Sequence, residues 1–249
     1  MVDTRDTEGK ASILWRFSLF IDLTPGETRA LLSLIDAAKS FPSGSLLHRQ
    51  GEEPSLFFLH EGWVVSGIDV ARGDRQILKV HRAGDVLGSP SLPFARAVET
   101  LTALTPCRAS AISRKAVGAL FDDWPRVAAA LFAACQVERV VLMDRLVAVG
   151  RLDAADSFVA FLIQLFRTRP PGATGNSIHL PLTQPQIGDV LGLSPVHVNR
   201  VINRLEQDGL IRRDGYTYDL LDLPRLEARA AVPRRVPERS PAWFPPARA

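Results

Sequence analysis

The sequence predicts an α+β chain in which an antiparallel β roll is followed by one long helix and then by a winged helix-turn-helix. Three observations carry that expectation. From Phe41 to about Arg114, strand-sized apolar runs are punctuated by Gly44, Gly51, Gly62, Gly67, Gly73, Gly84 and Gly88, the texture of a small β barrel or sandwich. Beyond Trp124-Pro125 the apolar residues recur at helical spacing, with no strand signal until after Leu210. Between Leu182 and Leu223 two short segments with helix-capping residues precede an Asp-Gly turn flanked by strand-sized runs.

Taken in order, Leu14 to Ser40 read as helical. Thr24 can cap a helix opened by Pro25, with Glu27 completing a capping box, and Leu31, Leu34 and Ile35 then fall on one face. Leu56-Phe57-Phe58-Leu59, Trp63-Val64-Val65 and Gln76-Ile77-Leu78-Lys79-Val80 are the clearest strands, with Arg72-Gly73-Asp74 as a hairpin turn. In the long helix from Pro125 to about Val149, one apolar stripe runs through Leu131, Cys135, Leu142, Leu146 and Val149, and another through Val127, Ala134, Val137 and Val141. A helix apolar on two faces must bury both. One face can pack on the chain's own β domain, leaving the other, lined by small residues such as Ala130 and Ala134, for a second copy. Complete burial inside one subunit satisfies the same pattern. The dimer contacts expected on the first reading are Val127, Ala130, Leu131, Ala134, Val137 and Val141. A further helix is expected from Ala154 to Phe166, a loop from Arg169 to Asn176, and a disordered Pro- and Arg-rich tail from Val232 to Ala249. The expected organisation is thus a β domain over 14–124, the dimerisation helix over 125–150, a winged helix-turn-helix over 151–231 and a tail over 232–249.

Composition narrows the function. With 249 residues, 46% hydrophobic and 23% charged, the chain is globular in composition. The apolar run from Ala128 to Cys135 falls far short of the ~18–20 residues of a membrane span. An N-terminus with Asp3, Asp6 and Glu8 lacks the basic start of a signal peptide. A cytoplasmic protein without a membrane partner is expected. Cys107 and Cys135 are too few for a disulfide framework, a four-thiolate zinc site or a cysteine-ligated iron–sulfur cluster; no metal or cofactor is expected. No phosphate-binding loop, Gly-x-Ser-x-Gly elbow or His-Glu-x-x-His occurs, and the acidic residues form no catalytic spacing. No catalytic residue, and no enzyme, is therefore expected. The net charge is only +3, but its basic side is mainly arginine, which suits forked contacts with phosphate and guanine.

Leu182 to Leu223 carries most of the functional signal. Thr183-Gln184-Pro185-Gln186 forms a capping box stapled by Leu182 and Ile187, which predicts a helix from about Gln184 to Leu191, ended by Gly192. Ser194 caps a second helix beginning at Pro195, with Leu193 and Val198 at staple spacing. Val198, Val201, Ile202 and Leu205 form its buried face. The other face carries Pro195, Val196, His197, Asn199, Arg200, Asn203 and Arg204, residue types that suit a major groove: Arg for guanine, Asn for adenine or phosphate, a compact apolar group for a thymine methyl. The following hairpin, with Arg212 and Arg213, reads as a wing near the backbone of double-stranded DNA. Thr183, Gln184 and Ser194 complete the expected DNA-binding set.

These residues closely resemble the C-terminal domain of the Crp/Fnr family of bacterial transcription regulators: Leu182-Thr183-Gln184, Leu191-Gly192-Leu193-Ser194, Val198-Asn199-Arg200-Val201-Ile202 and Leu205-Glu206-Gln207-Asp208-Gly209-Leu210-Ile211. Upstream, Gly51-Glu52, Glu61-Gly62-Trp63, Arg75-Gln76-Ile77 and Arg82-Ala83-Gly84-Asp85-Val86 look like the family's cyclic-nucleotide-binding-type β roll, a cupin-like jelly roll. The resemblance spans about Phe17 to Arg229. It implies a homodimer on an inverted-repeat operator, with Arg200 at the family's guanine-reading position and Val196 where glutamate is frequent. It further implies RNA polymerase and a small-molecule effector as partners.

The resemblance implies an effector pocket around Gly84, Asp85, Val86, Leu87, Gly88, Ser89 and Arg96. Members that bind cyclic AMP resemble one another in a Phe-Gly-Glu, then Arg-Ser-Ala, cassette; this chain has Val86-Leu87-Gly88-Ser89-Pro90, then Ala95-Arg96-Ala97-Val98. Losing the ribose-binding glutamate costs ~1–3 kcal/mol, roughly one to two decades of affinity, so cyclic AMP is not the expected effector. Haem on His48, His60 or His81, and thiol chemistry at Cys107 beside Arg108, are the other sensor readings open at this point. A ligand-binding module that acts through protein partners, using its helix-turn-helix as an interface, is the alternative function.

Overall fold

The computed structural model describes residues 4–35, 37–70, 75–169, 172–231 and 233–247. The chain opens with α1 (Thr4–Ser18) and α2 (Pro25–Ser33); the stretch expected to be helical from Leu14 to Ser40 thus holds the end of α1, the helix expected to begin at Pro25, and the start of a strand at Lys39. The break falls where Thr24 caps α2. Its Oγ1 accepts from the Glu27 amide at 3.2 Å while a Glu27 carboxylate oxygen accepts from the Thr24 amide at 2.8 Å. Glu27 is buried and also takes a 2.9 Å ion pair from Arg126, which leaves no buried oxygen of this cap without a donor.

Eight strands follow among the described residues: β1 (Lys39–Phe41), β2 (Leu46–His48), β3 (Leu56–Glu61), β4 (Trp63–Asp69), β5 (Arg75–Arg82), β6 (Val86–Leu87), β7 (Thr100–Ala103) and β8 (Cys107–Ile112). They form two four-stranded antiparallel sheets, ordered β1-β8-β3-β6 and β2-β7-β4-β5. One core lies between the sheets, around Leu59, Val64, Leu87 and Leu101. A second lies under the helices, where Phe17 of α1 meets Phe58 edge-on at 6.2 Å between ring centroids. The expected Arg72-Gly73-Asp74 turn lies outside the described residues.

After α3 (Arg114–Asp123), α4 runs from Pro125 to Arg151. The chain divides into two compact units, Met1–Glu138 with Val236–Ala249, and Arg139–Arg235; α4 belongs to both. Both apolar stripes are covered in the N-terminal half of the helix and open further along it, so they divide along its length and not between its two faces. Val127, Ala130 and Leu131 are buried in the core of their own unit and Ala134 packs against it, so these residues are closed to a second copy. The uncovered stripe is Leu142, Met143, Leu146 (75% exposed), Val147 and Val149, with Val137 at its margin.

The tail expected to be disordered is laid along the first unit. The Ser240 amide donates to the Phe20 carbonyl at 2.6 Å, Arg239 pairs with Asp22, and Trp243 meets Phe132 edge-on at 6.3 Å. Its Pro and Arg content describes a chain without its own core, but Trp243 and Phe244 supply anchors that composition averages away.

The second unit continues with α5 (Ala154–Arg167), β9 (Ser177–His179), α6 (Gln184–Leu191), α7 (Pro195–Gln207), β10 (Ile211–Asp214), β11 (Thr217–Leu220) and α8 (Leu223–Ala230). β9 was not expected. It is three residues long and exists by pairing with β11, which completes a sheet ordered β10-β11-β9.

Candidate nucleic-acid interface

Local chemistry sets the geometry of α6 and α7. Thr183 Oγ1 accepts from the Gln186 amide at 3.4 Å, and Gln186 Oε1 accepts from the Thr183 amide at 2.9 Å. Gly192 ends α6 at φ +69°, a left-handed cap that a residue with a Cβ adopts only under strain. Gly188 is the position that reading the sequence missed. A Cβ there would lie 2.4 Å from the Leu193 carbonyl oxygen, so the glycine lets the turn close against α6; the signal for it, a glycine four residues before another inside a short helix, was in the sequence. Ser194 then caps α7 by accepting from the His197 amide at 3.3 Å.

With Val198, Val201, Ile202 and Leu205 buried, the opposite side of α7 presents Pro195, Val196 (71% exposed), His197, Arg200, Asn203 and Arg204 to solvent. These six share one surface. Asn199 lies at its edge, half-buried, where its Oδ1 accepts from Gln184 Nε2 at 2.9 Å. Thr183 and Ser194 are exposed but their hydroxyls are used as caps.

On the wing, the Glu206 carboxylate accepts from the Arg213 amide at 2.9 Å and so ties α7 to β10. Arg212 is exposed but held in a fork by Asp219, at 2.6 and 3.0 Å. Ser177 of β9 donates to the same carboxylate at 2.6 Å; these hydrogen bonds, from Ser177 and then from Arg212, hold Asp219 below the usual carboxylate range. Arg213 is half-buried beside Tyr218, whose hydroxyl burial pushes up. The two wing arginines are therefore close together, but only Arg212 reaches well into solvent.

The expected effector residues differ in their surroundings. Val86 and Leu87 are core residues of β6, and Arg96 stands exposed on the loop that follows. Asp85 is buried and pairs with Arg16 of α1, with Lys79 at 3.6 Å and with His81 at 3.8 Å. Burial would raise its pKa, but the charges of Lys79, Arg16 and His81 hold it well below the usual range. Lys79 also pairs with Glu138 of α4, to which Ser89 donates at 3.4 Å. The cations Arg16 and Lys79 beside this segment are thus already matched by the chain's own carboxylates.

Burial drives Cys107 up to about 11 and also raises Cys135, so neither thiol is activated by its surroundings. Among the described residues no three His, Cys, Asp or Glu side chains are placed to hold a metal ion, and no helix is long and apolar enough to cross a membrane.

Residues 38–123 match the family model of the cyclic nucleotide-binding domain, and residues 158–229 that of the Crp-like helix-turn-helix domain. The fumarate and nitrate reduction regulatory protein of Salmonella typhimurium is 24% identical over 216 residues, 86% of each chain. Electron transport regulator A of Shewanella oneidensis is 25% identical over 220 residues, 85% of this chain and 86% of that one. The structure of FixK2 from Bradyrhizobium japonicum superposes with a TM-score of 0.73 at 24% identity, covering 81% of this chain and all of that one.

Proposed function

Because this chain belongs to the Crp/Fnr family of transcription regulators, we propose that it binds an inverted-repeat operator as a homodimer, placing α7 of each copy in the major groove. The carrying observation is the uncovered side of α7, where Val196, Arg200 and Arg204 stand in solvent beside a tied-down wing. Leu142, Met143, Leu146 and Val149 offer the apolar face for the second copy. The β domain is the proposed seat of the regulatory signal. Its effector is not cyclic AMP, since Arg16 and Lys79 are already paired inside the fold. The protein works in the cytoplasm, without catalysis or a resident cofactor, and passes its signal to RNA polymerase.

The test is binding to DNA fragments selected from a random pool. Arg200→Ala is expected to cost ~1–3 kcal/mol and relax preference at one base pair per half-site, whereas Arg212→Ala weakens all sequences alike. Binding that ignores sequence and is indifferent to Arg200→Ala would refute the proposal.

A further inference from the structure

We infer that Gln184 is a positioning residue that commits one half of the Asn199 amide, so that Asn199 meets DNA as a lone hydrogen-bond donor and not as a bidentate reader of adenine. This rests on the reading of α7 as the major-groove helix. Gln184 opens α6 and Asn199 lies midway along α7, and the 2.9 Å bond from Gln184 Nε2 to Asn199 Oδ1 spans the turn between them.

An asparagine selects adenine by using both ends of its amide: Oδ1 accepts from the adenine N6 amino group while Nδ2 donates to N7. Here one lone pair of Oδ1 is taken by Gln184 Nε2 and the carbonyl is turned toward α6, so the amide does not offer both ends to one base edge and Nδ2 with its hydrogens is the group left for a groove-facing contact. A donor alone suits N7 of either purine, guanine O6, thymine O4 or a phosphate oxygen, and it gives adenine no advantage over guanine. Exchanging oxygen and nitrogen in both amides would reverse the bond and leave Asn199 a lone acceptor, so a base-borne donor selected opposite Asn199 contradicts the assignment. Half-burial of both side chains keeps the pair from being exchanged freely for water. The pairing also fixes the Asn199 rotamer before DNA arrives, so that ordering cost is not met on binding. The neighbouring Arg200 and Arg204 are donors only, so on this side of α7 the side chains with acceptor atoms are Asn203 and His197.

The experiment is site selection from randomised DNA with the full chain, followed by dissociation constants for wild type, Gln184→Ala, Asn199→Ala and the double variant on the selected site. Gln184→Met, which keeps volume and helix propensity, guards against a folding effect. The base pair relaxed by Asn199→Ala is expected to show no adenine preference in the wild type. Gln184→Ala and Gln184→Met are each expected to weaken binding by about 3- to 10-fold and to admit adenine at that base pair. In the Asn199→Ala background, removing Gln184 adds nothing. A wild-type preference for adenine there, or two substitutions whose effects simply multiply, overturns the inference. If that happens while Arg200→Ala still relaxes a guanine, only this inference fails; if the wild type selects no sequence at all, the reading of α7 fails with it.

Discussion

In the winged-helix unit the polar side chains of α7 stand in solvent, while in the β unit Arg16, Lys79, Asp85, Glu99 and Glu138 are folded inward. The first group has been left available at little structural cost, because Thr183, Gln186 and Ser194 satisfy the helix ends and the apolar face of α7 is fully covered. The second group is consumed by its own partners. It ties α1, β5 and α4 together, and three carboxylates face two permanent cations. The teaching is that side chains of similar type serve recognition in one unit and cohesion in the other, and that burial together with pairing tells the two apart.

The contrast can be broken most forcefully at Lys79. Lys79→Met keeps the volume but leaves Glu138 without its cation, and removing one partner of a buried pair costs about 3–5 kcal/mol. Denaturant unfolding should show that loss, with base preference on DNA unchanged in the variant that remains folded. A loss under about 1 kcal/mol would mean the cluster is not structural.

Glu99 gives the next largest effect. Burial, with Glu138 nearby, pushes it up to about 7 from an ordinary 4.5, against the pull of a hydrogen bond from Ser66. A carboxyl whose folded value is raised supports the fold while protonated. That support is whole below about 4.5 and is lost as pH rises through about 7. The groups that act on it are Ser66 on β4, Lys79 on β5 and Glu138 on α4. Stability should fall by on the order of 3 kcal/mol between about pH 4.5 and 7.5, and Glu99→Gln should flatten that slope in a series of thermal unfolding curves. Identical slopes for both proteins would contradict the assignment.

What could be read from the sequence follows the range of the interactions. The caps of α2, α6 and α7 join residues three apart, so Thr24, Thr183 and Ser194 announced them. Asp85 and Arg16 are 69 positions apart, and no local pattern pairs them. The α4 stripes were visible, but how far along the helix they are covered depends on the core it meets, a tertiary property. β9 is too short to leave a periodic signal and is stabilised by β11. Trp243 and Phe244 were lost among prolines and arginines, because a segment that joins a core built by residues far away in sequence needs only a few anchors. The exposed side of α7 was legible apart from Asn199, since helix period and capping fix it without help from distant residues, whereas the bond between Asn199 and Gln184 required the two helices to be placed.

The central claim, that two copies of α7 read base edges in successive major grooves, is tested most directly by methylation interference on a selected operator. The account predicts two patches of guanine N7 contact on one face of the duplex, about 34 Å or one helical turn apart, with a guanine in each patch no longer required by Arg200→Ala. A single patch, or interference confined to phosphates, would contradict it.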